Sequence, residues 1–220
     1  MKFFLIQRPP AGSDEDRSFG VDCEKTDHAQ NGNANICPEC GRALSMLEWL
    51  PPFEVELTTF GRHYADILYC VDDLLVSDRF VDVYRKAGLT GLDEFIPAQI
   101  VKLRHRRKKP LEPIPQYFRA PVKMSKTTID QVASEYEWED CSKICPCCLT
   151  GPLIRYKSQI VDQNTWDGLD IFLPRGGRRK LVSQRFVDAC QEHNLNIGIF
   201  TPAETFGNDG FPWKKGHLQK

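Results

Sequence analysis

Two Cys-x-x-Cys pairs are the residues of this sequence whose type and spacing are best suited to chemistry. The first pair is Cys37 and Cys40, within CPECG, and the second is Cys145 and Cys148, within CPCCL. A two-residue spacer lets both sulfurs of a tight turn face one point, and four thiolates from two such turns form a tetrahedral zinc ligand set. We therefore expect a structural Zn²⁺, held by all four cysteines.

The long interval between the two pairs requires an explanation, because 104 residues separate Cys40 from Cys145. Compact zinc sites have spacers of roughly 15–20 residues. A repeat accounts for the interval: LLVSDRFVDV at 74–83 returns as KLVSQRFVDA at 180–189, with seven of ten positions identical. The phrases are offset by 106 residues and the cysteine pairs by 108, which indicates duplication of a whole unit. Each unit would bring one cysteine turn to a shared metal.

Each repeated phrase predicts a short strand followed by a helix. Ser77 and Ser183 occupy the N-cap positions, and apolar residues then recur at helical spacing. Gly88 and Asn194 are typical residues at which a helix ends. The polar stretch 8–35 predicts a long loop. The expected fold class is therefore α+β, with two similar strand–helix–strand halves joined by the double Cys-x-x-Cys site in the manner of a zinc ribbon.

The expected organisation is one structural unit with a loosely attached tail. Four prolines in KKPLEPIPQYFRAP argue against a helix or an inner strand between the halves. The predicted parts are the unit at 1–206, its repeats at about 37–104 and 145–206, a Pro-rich connector at 105–122 and the tail at 207–220.

Other cysteines near the second pair could replace one of its members as a metal ligand. Cys147 and Cys141 lie close enough in sequence to Cys145 and Cys148 to serve as alternate metal ligands. Cys70, at a strand end, and Cys190, on a helix face, are predicted to be core thiols. Cys23 lacks a convincing partner pair for a second site.

Bulk composition favours a protein of the cytoplasm. The chain has 220 residues, 41% of them hydrophobic, and 29 basic against 30 acidic residues, so its net charge does not predict a polyanion binder. The N-terminus has too short an apolar run for a secretory signal, and no stretch approaches the ~20 apolar residues of a membrane span. An odd count of nine cysteines favours thiols or metal ligands over a disulfide framework.

We expect no enzyme activity. The chain lacks the nucleophile-elbow, phosphate-loop and zinc-protease motifs, and its five histidines are scattered. Four thiolates closed around zinc would leave no position for a reactive water. Thiol redox chemistry is the alternative for Cys-x-x-Cys, but it needs the first cysteine at a helix N-terminus, and Gly41 argues against that.

Three charged runs could contact a partner. The basic runs are KLRHRRKK at 102–109 and RGGRRK at 175–180. The first supports an alternative function, a zinc-ribbon adaptor that binds nucleic acid, although a nucleic-acid partner is the less favoured interpretation. In EYEWED, at 135–140, acidic and aromatic residues alternate as in a half-buried strand. Its candidate partner-contact residues are Glu135, Glu137, Glu139 and Trp138.

The cysteine motifs and the repeated phrase together resemble a known family. The chain is similar to the double-CXXCG-motif immunity proteins of bacterial polymorphic-toxin systems, best known from myxobacteria. The MKFF opening, Cys141, an LDIF segment and LVSQRFVDA near the C-terminus carry the resemblance, as do both cysteine pairs. Leu149 departs from it, because the motif has glycine directly after the second pair. The resemblance implies a cytoplasmic protein that binds and blocks a cognate toxin protein. We expect a monomer or a homodimer, with no membrane partner.

Overall fold

The chain folds into a mostly-β structure, which contradicts the predicted α+β class. In this computed structural model 39% of the described residues are strand and 14% are helix, with two α-helices. The predicted strand–helix phrases exist, but each half is built mainly from short strands, whose pairing depends on partners distant in sequence. The described residues are 1–8, 21–70, 73–106, 112–177 and 179–208.

The strands and helices are short and follow one another closely. The strands are β1 Phe3–Gln7, β2 Val21–Lys25, β3 Gln30–Asn31, β4 Trp49–Leu50, β5 Glu54–Thr59, β6 Ile67–Cys70, β7 Asp73–Ser77, β8 Ile96–His105, β9 Tyr117–Ala120, β10 Met124–Thr128, β11 Glu137–Trp138, β12 Leu153–Arg155, β13 Ile171–Arg175, β14 Leu181–Ser183 and β15 Ile199–Pro202. The α-helices are α1 Asp78–Lys86 and α2 Gln184–Glu192, and 3₁₀ turns lie at Cys141–Lys143, Gln163–Thr165 and Ala203–Thr205.

Two sheets divide the chain between them. The six-stranded sheet has the order β2-β5-β8-β9-β7-β6, and the five-stranded sheet has the order β10-β13-β14-β1-β15. The pairs β5–β8 and β10–β13 are parallel, and the other pairs in these sheets are antiparallel. The chain passes from the first sheet to the second between β9 and β10, while β1 joins the second sheet from the N-terminus. Small pairs β3–β4 and β11–β12 accompany the cysteine turns.

The six-stranded sheet curls until its edge strands β2 and β6 approach each other. The thiol of Cys23 on β2 hydrogen-bonds to Cys70 on β6, which raises the pKa of Cys23. Lys25 on β2 forms an ion pair of 2.9 Å with Asp73, at the start of β7. Curling shields both edges from further strand pairing. It also buries Cys70 completely, so the prediction of a core thiol is confirmed there.

The two helices begin and end where the sequence predicts. The hydroxyl of Ser77 accepts the backbone N–H of Phe80 at 3.0 Å, and the hydroxyl of Ser183 accepts that of Phe186 at 3.2 Å. Each helix is followed by a residue at positive φ, Gly88 at 61° and Asn194 at 51°. These residues terminate the helices because a left-handed conformation cannot continue them. The prediction that Cys190 is a core thiol is also confirmed, because it lies on the buried face of α2, and burial raises its pKa to about 12.

A matched pair of buried carboxylates connects the halves. Asp66 accepts the hydroxyl of Ser77 at 2.6 Å, and Asp170 accepts the hydroxyl of Ser183 at 2.7 Å. Each carboxylate also accepts a backbone N–H from the segment that follows the helix of the other half, at 2.7 Å and 3.0 Å respectively. Burial raises the pKa of Asp66, while its hydrogen bonds favour the ionised form. Buried carboxylates of this kind are stable only when their oxygens are paired.

Two arginines repeat the same exchange between the helices. Arg79, at the start of α1, donates to the carbonyl of His193 at the end of α2, at 2.6 Å. Arg185, at the start of α2, donates to the carbonyl of Ala87 at the end of α1, at 2.5 Å. Each guanidinium also reaches the carbonyl of the next residue. The contact is reciprocal, as in a two-fold symmetric interface within one chain.

Aromatic packing completes this contact, which we call the helix joint. The rings of Phe80 and Phe186 lie 5.9 Å apart, and both side chains are fully buried. They belong to a hydrophobic core that draws residues from both sheets and both helices. Three of the seven residues shared by the two repeated phrases thus belong to the helix joint: the capping serine, the arginine and the phenylalanine.

Two predicted segments differ from expectation. Within the expected connector, Tyr117–Ala120 forms β9, an inner strand between β8 and β7. The prolines flank this stretch rather than interrupt it, so its N–H groups are free to pair. In the expected loop 8–35, β2 pairs along β5 over five residues. Most of the predicted tail lies outside the described residues.

Candidate metal centre

The first cysteine turn is a tight loop closed by backbone hydrogen bonds. The N–H of Cys37 donates to the carbonyl of Arg42, and the N–H of Gly41 donates to the carbonyl of Cys37, both at 2.9 Å. Gly41 has φ of 70°, and a Cβ added there would meet nothing within 4 Å. Glycine suits this position because left-handed backbone costs other residues roughly 1–2 kcal/mol.

The second cysteine turn repeats this pattern with a different residue in the glycine position. The N–H of Cys145 donates to the carbonyl of Thr150 at 3.0 Å, and the N–H of Leu149 donates to the carbonyl of Cys145 at 2.8 Å. Leu149 has φ of 56°, close to that of Gly41. The departure from the CXXCG pattern therefore leaves the shape of the turn intact.

The fold brings the two turns together, and the four cysteines could hold a metal ion. Their sulfurs all lie within 4.8 Å of one another, with Cys37–Cys145 at 3.8 Å and Cys40–Cys148 at 3.7 Å. A disulfide would need about 2.05 Å. Four sulfurs bonded at about 2.3 Å to a tetrahedral ion lie about 3.8 Å apart, which matches these two distances. We call this contact the metal joint.

The electrostatics of the group favour a cation at its centre. The backbone N–H of Cys40 lowers the pKa of the Cys37 thiol to about 6. The backbone N–H of Arg42 also lowers the pKa of Cys40, but lost hydration and hydrogen bonds with neighbouring thiols outweigh it and raise that pKa to about 12. One thiolate therefore suppresses ionisation of the next, and a bound cation would remove that conflict by pairing with all four.

Two arginines hold the turns in place, and sequence reasoning missed both. Arg42 donates from the first turn to the carbonyls of Thr150 and Lys143, the latter at 3.1 Å. Arg175, at the end of β13, donates through Nε to the carbonyl of Cys147 at 2.8 Å. No sequence signal marks them, because their partners are backbone carbonyls. Side chains that are not candidate metal ligands thus help to hold the two cysteine turns in position.

The predicted alternate ligands lie outside the four-sulfur group. Cys147 is adjacent to this group. A hydrogen bond with the thiol of Cys37 is the main reason that the pKa of Cys147 is raised. Cys141 is exposed in a 3₁₀ turn and belongs to no group of possible ligands within the described residues. The structure thus favours the cysteine set that the repeat alignment selected.

The acidic stretch 135–140 does not form the alternating strand that was predicted. Only Glu137–Trp138 is strand, and Glu135 lies in a turn at φ of 50°. Glu137 and Glu135 form ion pairs with neighbouring basic side chains at 2.5 Å. Trp138 packs against Gly151, beside the second cysteine turn. Together with Glu139, these residues remain a predicted partner contact, although much of their charge is already paired.

The basic run at 102–109 is only partly described, because residues 107–109 lie outside the described ranges. Lys102 and Arg104 lie on β8 and both form ion pairs with Glu56, at 3.0 Å and 3.5 Å. This pairing reduces the positive field available to a phosphate backbone. No observation in the described part of the run strengthens the nucleic-acid alternative.

No protein-family model and no curated protein matches this chain. Within the described residues, no helix combines the length and the apolar character needed to cross a membrane.

Proposed function

We propose that the four cysteines bind one structural Zn²⁺ ion. The convergence of two turns from distant parts of the chain onto one four-sulfur group is the observation that carries this proposal. Thiolates select zinc over hard cations such as Mg²⁺ and Ca²⁺. Zinc would also be redox-inert here, so that the ion would fix the two turns without chemistry of its own.

The metal assignment is tested by elemental analysis of protein purified under reducing conditions. Cys145→Ser removes one proposed ligand, while Cys147→Ser removes a neighbouring thiol and serves as the matched control. We expect one zinc per chain in the wild type and in Cys147→Ser, and a large loss in Cys145→Ser. Equal zinc in both variants, or another metal in the wild type, would contradict the assignment.

We propose further that the protein is an immunity protein, which binds and blocks a cognate toxin in the cytoplasm. The resemblance of both cysteine pairs and of the repeated phrase to the double-CXXCG family supports this role. A closed four-thiolate site also suits it, because such a site stabilises a binding surface and leaves no position open for catalysis. Blocking would come from a complementary interface, in which charge sets speed and specificity.

The immunity role is tested with the reading frame that neighbours this one in its genome. Expression of that frame alone should arrest growth, co-expression of this protein should restore growth, and the two products should purify together. A catalytically inactivated neighbour serves as the control for binding without toxicity. A harmless neighbour, or a toxic one that this protein neither binds nor neutralises, would contradict the proposal.

A further inference from the structure

A groove of about 930 Å³ opens beside the metal joint. It forms because β14 is short. The register of β14 reaches only Phe3 and Phe4 on β1, and only Ile171 and Phe172 on β13. Beyond it, β1 remains paired with β15 and β13 with β10, each on the edge that faces away from β14. The two strands part, and the first cysteine turn closes one side of the gap.

The groove has an apolar lining that is exposed to solvent. Met46, Tyr69 and Met124 line it, and their side chains remain 59%, 41% and 43% exposed. Leu44, which packs against the cysteine cluster, lies beside them. Exposed apolar side chains gathered in a concave surface are typical of a protein-binding site rather than of a purely solvated face.

The described charged residues that line this groove have one sign. Arg8, Arg175, Arg179 and Lys180 line it, and the described lining residues include no Asp or Glu. Arg8 forms an ion pair with Asp22, and Arg175 holds the second cysteine turn. Lys180 lies over the ring of Tyr69, 5.8 Å from its centroid. Arg179 and Lys180, at the end of the basic run 175–180, thus border an apolar lining.

We propose that this groove binds an acidic, amphipathic segment of a partner protein. Its carboxylates would pair with Arg179 and Lys180, and its apolar side chains would cover Met46, Tyr69 and Met124. The apolar lining favours a protein segment over nucleic acid, whose backbone would leave these side chains in water. Identifying the partner as the toxin rests on the proposed immunity function, whereas the chemistry of the groove does not.

The metal joint forms part of this binding surface. Residues 43–46, directly after the first cysteine turn, supply one wall, and Cys147 and Cys148 supply another part of the lining. Loss of the proposed zinc should free the first turn and with it that wall. We therefore expect chelation to weaken binding at the groove.

The direct test measures fluorescence anisotropy of a labelled ten-residue peptide, EDLFEDLFED, with the full-length protein. The comparison peptide is KKLFKKLFKK. We expect the acidic peptide to bind, the basic one not to bind, and binding to weaken as salt rises because exposed charges are screened. Arg179→Glu with Lys180→Glu should weaken binding by about tenfold or more, since both attractive charges are reversed.

The matched control is Arg62→Glu with Lys86→Glu, which changes net charge equally at exposed positions outside the groove. It should change the dissociation constant of the acidic peptide by less than about twofold, because charges outside the groove act on it only at long range and are screened. Met46→Glu is a second groove variant at a solvent-exposed side chain, and it should also weaken binding. Thermal melting and zinc content establish that each variant is folded.

Three results would overturn the proposal. The first is equal binding of both peptides, or equal loss in the groove and control variants. The second is tight binding of a twenty-nucleotide oligothymidylate that the groove variants abolish. The third is self-association in sedimentation that the same variants abolish, because a second copy would then be the occupant. Unimpaired neutralisation of the neighbouring toxin by Arg179→Glu with Lys180→Glu would separate the groove from the immunity function, which would stand.

Discussion

The helix joint and the metal joint connect the same two halves in different ways. Both are reciprocal, and their residues are related by offsets of 106 and 108 positions. The helix joint combines fully buried aromatic rings with carboxylates and guanidinium groups whose hydrogen bonds are satisfied within the chain. The metal joint buries three cysteines, with Leu44 and Cys147 packed against them. It has almost no apolar core of its own.

This difference indicates which joint depends on a cofactor. The helix joint has a buried apolar core and internal hydrogen bonds, so we expect it to hold the halves without any ion. Four crowded thiols cannot all ionise without a cation, so the proposed zinc would stabilise the metal joint. Loss of metal should therefore loosen the cysteine turns and leave the two helices packed.

Metal removal has the largest expected effect on this comparison. Binding of a structural zinc by thiolates is worth on the order of 10 kcal/mol. After chelation, hydrogen exchange should become fast at the amides of Gly41 and Leu149 and stay slow at Phe80 and Phe186. Cys147→Ser, before chelation, should show the wild-type pattern. Loss of protection at both joints together would show that they are not independent.

Removal of a buried carboxylate should be the next largest effect. Asp170→Ala leaves the hydroxyl of Ser183 and the N–H of Thr90 without their acceptor, which should cost about 3 kcal/mol of unfolding free energy. Arg185→Ala should cost less, because its side chain is 56% exposed and water replaces its contacts. Urea unfolding of the zinc-loaded protein measures both values. Equal losses of unfolding free energy in the two variants would contradict the account that the buried carboxylate matters more than the exposed guanidinium.

Loss of a helix cap should have a smaller effect that is equal in the two halves. Ser77→Ala and Ser183→Ala each remove an acceptor for a helix N–H and should each cost about 1–2 kcal/mol. Thr at either position keeps the hydroxyl and should recover most of that loss. The unfolding free energies of the four variants check this. A large difference between the two serines would mean that the halves are not equivalent at the helix joint.

Exchanges in the cysteine turns should produce the smallest effects. Gly41→Ala should cost about 1 kcal/mol, because the conformation, not a clash, opposes a side chain there. Leu149→Gly should change stability by less than about 1 kcal/mol, since relief of strain and greater freedom of the unfolded chain oppose each other. Zinc competition and thermal melting measure both. Loss of zinc in Leu149→Gly would contradict the equivalence of the two turns.

The sequence predicted local features better than it predicted architecture. The caps at Ser77 and Ser183 and the helix ends at Gly88 and Asn194 follow from local chemistry, and the structure confirms them. The cysteine group could be anticipated because the repeat gave the two pairs a common frame.

The fold class was wrong because sheet pairing is decided by distant partners. The register of β2 with β5 and the inner position of β9 depend on neighbours that no local pattern specifies. The sequence shows that Asp66 and Asp170 each precede two apolar residues. It does not show that each carboxylate accepts a backbone N–H from the opposite half. Arg42 and Arg175 escaped notice because they bind backbone carbonyls, which carry no sequence signature.

Zinc K-edge X-ray absorption, on protein whose metal content per chain has been measured, tests the joint coordination by the two turns most directly. One zinc per chain with four sulfur neighbours at about 2.3 Å is the predicted result. Two sulfur neighbours completed by nitrogen or oxygen would contradict it, because each turn would then bind metal separately.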